Sequence, residues 1–140
     1  MQRLIDDAGL GDQVALDSAG TGDWHVGEPA DPRTRAAAAR RGIAIPHRAR
    51  HFVAADLERF DLLVAMDAAN LNAIRGMLGE RAAPEIRLLR SFEPGAPDGA
   101  EVPDPYSGGA AGFDHVLDLC ERACRGLLQY VCNRQEAGRR

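Results

Sequence analysis

The run Leu62-Leu63-Val64-Ala65-Met66, closed on each side by an aspartate, constrains the fold of this chain more than any other feature. Beyond Asp61, the segment Phe60–Met66 offers no polar position from which a solvent-facing side could be built. It is far too short to cross a bilayer. A short run apolar in both directions suits a parallel strand covered on its two faces, and such a strand needs helices above and below it. The flanking sequence provides them. Asp67 stands where it can cap a helix carrying Leu71, Ile74 and Leu78 and finishing near Gly79, and a shorter helical turn is expected over Ala54 to Arg59.

The same alternation of element types extends over the whole chain. Leu4, Ile5 and Ala8 lie at helical spacing and stop at Gly9, as the closing turns of a helix would. Val14-Ala15-Leu16-Asp17-Ser18 alternates as a strand does and breaks at Gly20 and Gly22. Asp31-Pro32 opens a helix through Arg41, closed by Gly42. Ile86 to Phe92 reads as a third strand. A last helix carries Phe113, Val116, Leu117, Cys120, Cys124, Leu127, Leu128 and Val131 on one stripe, and from Asn133 onward the chain is polar and expected to fray. Strands alternating with helices predict an α/β domain with a doubly wound parallel sheet, one domain over residues 1–133 with a polar tail over 134–140.

Charge and cysteine usage narrow the function. A net charge of −4 and a pI near 5.5 invite neither nucleic acid nor an anionic membrane surface. No secretory signal is visible, so a cytoplasmic location is expected. Cys120, Cys124 and Cys132 lack the spaced partners of a zinc site and fit the apolar stripe of the last helix. His25, His47, His51 and His115 form no pair at metal-binding spacing, and no metal or cofactor is expected.

One loop stands out chemically. Glu93 to Gly112 is rich in glycine, proline and aspartate, and long loops of this kind in compact domains are usually functional. Within it, Val102-Pro103-Asp104-Pro105-Tyr106 holds an aspartate between two prolines that fix the backbone on both sides. A carboxyl group presented so rigidly suits general-acid work on a phenolic leaving group, and Trp24 could wall the same cleft. Taken alone, the loop reads more readily as a proline-punctuated surface turn. The turn Asp17-Ser18-Ala19-Gly20-Thr21-Gly22 resembles a phosphate cradle but matches neither the dinucleotide fingerprint nor the Walker loop.

Taken in order, Asp17-Ser18-Ala19-Gly20, Asp23-Trp24-His25-Val26-Gly27, Asp31-Pro32-Arg33, His47-Arg48-Ala49-Arg50, Phe60-Asp61, Met66-Asp67-Ala68-Ala69-Asn70-Leu71 and Asp104-Pro105-Tyr106 resemble the low-molecular-weight protein tyrosine phosphatase family over about Met1 to Leu128. The resemblance implies a doubly wound sheet of four parallel strands, hydrolysis of phosphotyrosine through a cysteinyl-phosphate, and no cofactor. It implies Asp104 as the general acid and then base, poised by a partly buried, anionic site. Trp24 and Tyr106 would line the cleft and stack on the phosphotyrosine ring, His25 would sit on its rim, and Ser18 and His47 would orient the nucleophile loop. The implied substrate is a phosphotyrosine protein or a small aryl phosphate.

The departures from the family pattern are as informative. The family's Cys-x5-Arg loop follows its first, central strand, and its backbone N–H groups and arginine grip the phosphate. Six positions after Cys120, Cys124 and Cys132 stand Gly126, Tyr130 and Gly138, so no cysteine here opens such a loop. Set against the family, the chain starts in the latter half of the first helix and lacks the first strand. The expectations are an N-terminally truncated reading of a longer gene product, no phosphatase activity for the 140 residues as they stand, and sheet edges prone to aggregation. Ser107 replaces a tyrosine that often follows the Asp-Pro-Tyr triplet, and the glycine- and proline-rich stretch from Pro94 to Glu101 is expected to hold Asp104 less firmly. A non-catalytic binding module or remnant of the same fold is the alternative. An arsenate reductase of this fold is less favoured, because its redox cysteines lie mid-chain and no cysteine precedes Cys120 here.

Overall fold

The apolar run does form a strand because its backbone finds a parallel neighbour. In the computed structural model, which describes residues 1–22, 26–81, 84–105 and 109–138, β1 (Leu62–Ala65) pairs with β2 (Glu85–Leu88). The register runs from Leu62 opposite Glu85 to Ala65 opposite Leu88. Side chains alternate across β1 and feed two separate cores. Leu63 and Ala65 join Phe52, Leu57 and Ile74 on one side, under α3 (Asp56–Arg59) and α4 (Ala68–Leu78). Leu62 and Val64 point the other way, against Leu89, Phe92, Val102 and the apolar stripe of the last helix. The layers are therefore helix, sheet and helix, as the two-faced run requires.

Local signals place most helices as expected. The side chain of Asp31 accepts from the Arg33 amide and Pro32 fills the first turn of α2 (Pro32–Ala39). Asp67 caps α4 by accepting from the Asn70 amide at 2.8 Å, and Gly79 ends it with φ of 57°, a conformation that disfavours any side chain. The first helix, α1, spans Gln2–Asp7 and buries Ile5.

Four expectations need correction. Val14–Ser18 forms no ladder: the only regular strands among the described residues are β1 and β2, and the segment reaches its first bridge at Gly20, opposite His51. Alternation alone does not make a strand without a neighbouring backbone to bond, and Leu16 stays 45% exposed. The expected strand Ile86–Phe92 ends at Leu88 and tightens into a 3-10 turn over Leu89–Phe92, which brings Leu89 and Phe92 together onto the last helix. That helix, α5, begins at Gly109, earlier than Phe113, which shortens the long loop. It also runs through the polar stretch to Gly138, because Arg134 pairs with Glu85 at 3.1 Å and Gln135 donates to the Gln13 carbonyl.

The core reading of the cysteines holds for Cys120 and Cys124, which pack in the α5 cluster. Burial pushes the Cys120 thiol up to about 11 and raises Cys124 as well. Thiolate is then roughly a hundredfold scarcer at pH 8 than for a free thiol, since each unit is tenfold. Alkylation of Cys120 by iodoacetamide is expected to accelerate by about that factor when urea unfolds the protein. Equal rates in folded and unfolded protein, read by mass spectrometry, would contradict the burial.

Candidate active site

Asp104 lies at the end of a loop that turns at glycines in its first half and is bracketed by prolines in its second. Gly95 and Gly99 both adopt positive φ, at 80° and 75°, which the chain needs to turn twice after Phe92. From Val102 onward the prolines at 103 and 105 fix the backbone. Where the two halves meet, Val102 is buried and its amide donates to the Met66 carbonyl at 2.8 Å, directly after β1. One residue earlier, the Glu101 carboxylate accepts from the Ala68 amide at 2.7 Å, in the first turn of α4. Asp104 itself is exposed, so the partial burial expected of a poised acid is not supplied by the described residues.

Arg90 closes the base of this loop. Its guanidinium holds Glu93 at 2.9 Å and donates to the Glu101 carbonyl at 3.1 Å. Arg122 on α5 takes the other Glu93 oxygen at 3.2 Å, so this nearly buried carboxylate is paired on both sides. The expected looseness of Pro94 to Glu101 is thus offset by anchors at both ends.

A second loop reaches the same helix start. Gly20 bonds the segment after His47 through backbone contacts, its amide to the Arg50 carbonyl and its carbonyl from the Phe52 amide. Arg50 ties the loop further, because its guanidinium bridges Asp17 at 3.1 Å and Asp56 at 2.9 Å. Asp56 is fully buried, also accepts from the Val53 amide, and faces Arg59 at 3.6 Å. The hydrogen bonds from Arg50 hold its carboxyl well below the usual range, against the opposing effect of burial. Thr21 then meets the Asn70 side chain at 3.3 Å on the first turn of α4. The turn from Met66 to Asn70 therefore touches both the Ser18-bearing loop and the Asp104-bearing loop.

Of the residues singled out from sequence, Asp104, Ser18 and His47 are placed and all three are exposed. Ser18 and His47 are not hydrogen-bonded to each other, and the Ser18 amide instead turns back on Asp17. Trp24, His25, Tyr106 and Ser107 lie outside the described residues. Sequence reasoning missed Arg50, Asp56, Arg90, Glu93 and Glu101, which fix the loops rather than face a substrate. Their charges read as ordinary solvated surface, and only the pairing separates them from it. No group of three or more candidate metal ligands occurs among the described residues.

The family model for low molecular weight phosphotyrosine protein phosphatases matches residues 1–137. A low molecular weight protein-tyrosine-phosphatase of Streptomyces coelicolor is 50% identical over 129 residues, covering 91% of this chain and 79% of that protein. Low molecular weight protein-tyrosine phosphatase A of Mycobacterium tuberculosis is 42% identical over 127 residues, covering 90% and 76%. Among solved structures, a protein tyrosine phosphatase of Entamoeba histolytica with Hepes in its active site superposes with a TM-score of 0.89 at 32% identity, covering 96% of this chain and 85% of that one. With its order of motifs, its two-faced parallel strand and this match over nearly all of its length, the chain belongs to the low molecular weight phosphotyrosine protein phosphatase family.

Proposed function

We propose that Asp104 is the proton donor and acceptor of a phosphotyrosine hydrolysis in which the nucleophile is a Cys-x5-Arg loop that the 140 residues do not contain. In the first step a thiolate takes the phosphoryl group while Asp104 protonates the departing tyrosine oxygen. In the second, Asp104 accepts a proton from the water that attacks phosphorus and frees the thiolate. Trp24 and Tyr106 would flank the phosphotyrosine ring, and Ser18 and His47 would steady the nucleophile loop. The substrate is a phosphotyrosine protein or a small aryl phosphate, met in the cytoplasm. The observation that carries this reading is the anchoring of the Asp104 loop, two residues before the acid, to the carbonyl that follows β1.

By itself the 140-residue polypeptide is then inactive. Its thiols lie in the α5 cluster or further along α5, and none has an arginine six positions later. An acid alone supplies about 10²–10⁴ of a far larger acceleration, without the donors that must grip the phosphate oxygens. The test uses phenyl phosphate, whose poor leaving group depends on the acid. Protein of verified mass is expected to release no phenol above buffer. The same protein extended in frame by a strand and a Cys-x5-Arg loop is expected to turn over, and Asp104→Asn to lower its kcat by about 10²–10⁴. Turnover by the 140 residues, or an extended Asp104→Asn variant of full activity, would overturn the assignment.

A further inference from the structure

We propose that Glu101 is a positioning residue for Asp104, its side chain clasping the acid-bearing loop to the first turn of α4. The proposal rests on the reading of Asp104 as the proton donor, but its physical basis is independent of it. The loop turns twice, at Gly95 and Gly99 with positive φ, before the proline-bracketed segment that begins at Pro103. The junction between the two decides how the aspartate is aimed. Three bonds hold that junction: Arg90 to the Glu101 carbonyl at 3.1 Å, the Val102 amide to the Met66 carbonyl at 2.8 Å, and the Ala68 amide to the Glu101 carboxylate at 2.7 Å.

The third bond has a separate role. It is charge-assisted, made to one of the amides at the positive end of a helix, and it is the only one of the three supplied by an acceptor side chain on the loop itself. Asp67 satisfies the Asn70 amide of the same turn, so Glu101 complements the helix's own cap rather than competing with it. The turn it grips also carries Asn70, which meets Thr21 on the loop bearing Ser18. Fixing Glu101 to Ala68 thus fixes Asp104 relative to the second loop, with only Val102 and Pro103 between.

Hydrogen exchange of single amides in the 140-residue protein, followed by NMR, tests this directly. Glu101→Ala is expected to speed exchange at Ala68 and Val102 by roughly tenfold, with amides in the middle of α5 unchanged. Glu101→Gln keeps an acceptor of the same length and is expected to restore most of the protection. Glu101→Asp keeps the charge but is one methylene short, and should behave like alanine. Unchanged exchange at Ala68 and Val102 in Glu101→Ala would overturn the proposal. So would a loss spread evenly into α5, which marks a general structural role, or a failure of glutamine to rescue. A failure here leaves the function of Asp104 standing, whereas full activity of the extended Asp104→Asn variant removes that function and leaves the clasp.

Discussion

Asp56→Ala is expected to lower the unfolding free energy by about 3–5 kcal/mol, the range for removing one partner of a buried ion pair. Its carboxylate is fully buried between the Arg50 guanidinium, the Val53 amide and Arg59. Removing it leaves Arg50 with Asp17 as its remaining ion-pair partner and the His51 carbonyl at 3.4 Å, and orphans the Val53 amide just before α3. The value should fall near the lower end, because Arg50 is 32% exposed and can recruit water. Urea unfolding at pH 7 measures it, and a loss under about 1 kcal/mol would show the pair to be no stronger than a surface bridge.

The same group predicts a pH dependence with a definite sign. Its carboxyl is held below the usual range, first by the Arg50 hydrogen bonds. A lowered folded-state value means stability that is fully present above the unfolded value near ~3.9 and is lost as pH falls through the folded value. The unmodified protein should therefore lose stability below about pH 4, while Asp56→Asn, with nothing to protonate there, loses less over the same window. Parallel acid profiles for the two proteins would contradict the assignment of that loss to Asp56.

Gly126→Ala is the second large effect, and its sign opposes helix propensity. In an exposed helix interior this change stabilises by about 1 kcal/mol. At position 126 the added Cβ would land inside the carbonyl group of Phe92, where the 3-10 turn lies against α5. Backbone cannot give way as a side-chain tip can, so helix and turn must part, and the buried contacts of Leu89, Phe92 and Leu127 loosen with them. The expected cost is about 3 kcal/mol or more, at or beyond the upper end of overpacking penalties. Gly76→Ala serves as the control, because nothing lies within 4 Å of its Cβ position on α4. A melting temperature for Gly126→Ala equal to or above that of Gly76→Ala would refute the close packing.

What could be read from sequence divides along physical lines. The Asp31 and Asp67 caps and the stripe of α5 were legible because each depends on residues close in the chain, and the strand expected over Phe60–Met66, realised over Leu62–Ala65, because a run apolar on both faces has to be covered on both. Val14–Ser18 was misread because a strand is a relation between two backbones, and its alternation of Val14 and Leu16 says nothing about the second one. The 3-10 turn after Leu88 was hidden for a similar reason: period two and period three both bury Leu89, and the docking of Phe92 on α5 decides between them. Asp56 reads from sequence as one charge in a short helical turn, and its burial follows from Arg50, six residues away, together with the Val53 amide and Arg59. The candidate acid was legible in the two prolines that enclose it. Its anchors were not, since Arg90, Glu101 and Ala68 are brought together by the fold.

The alternation of β1 has a mechanical consequence. Its four residues serve two cores at once, Leu63 and Ala65 on one side, Leu62 and Val64 on the other, so neither half of the molecule can relax by itself. Met66, which follows directly, lends its carbonyl to the loop that presents Asp104. A repacking at Ile74 or Phe52 is therefore transmitted through this common beam to Leu62 and Val64 on its other side, and to the carbonyl from which the loop of Asp104 hangs.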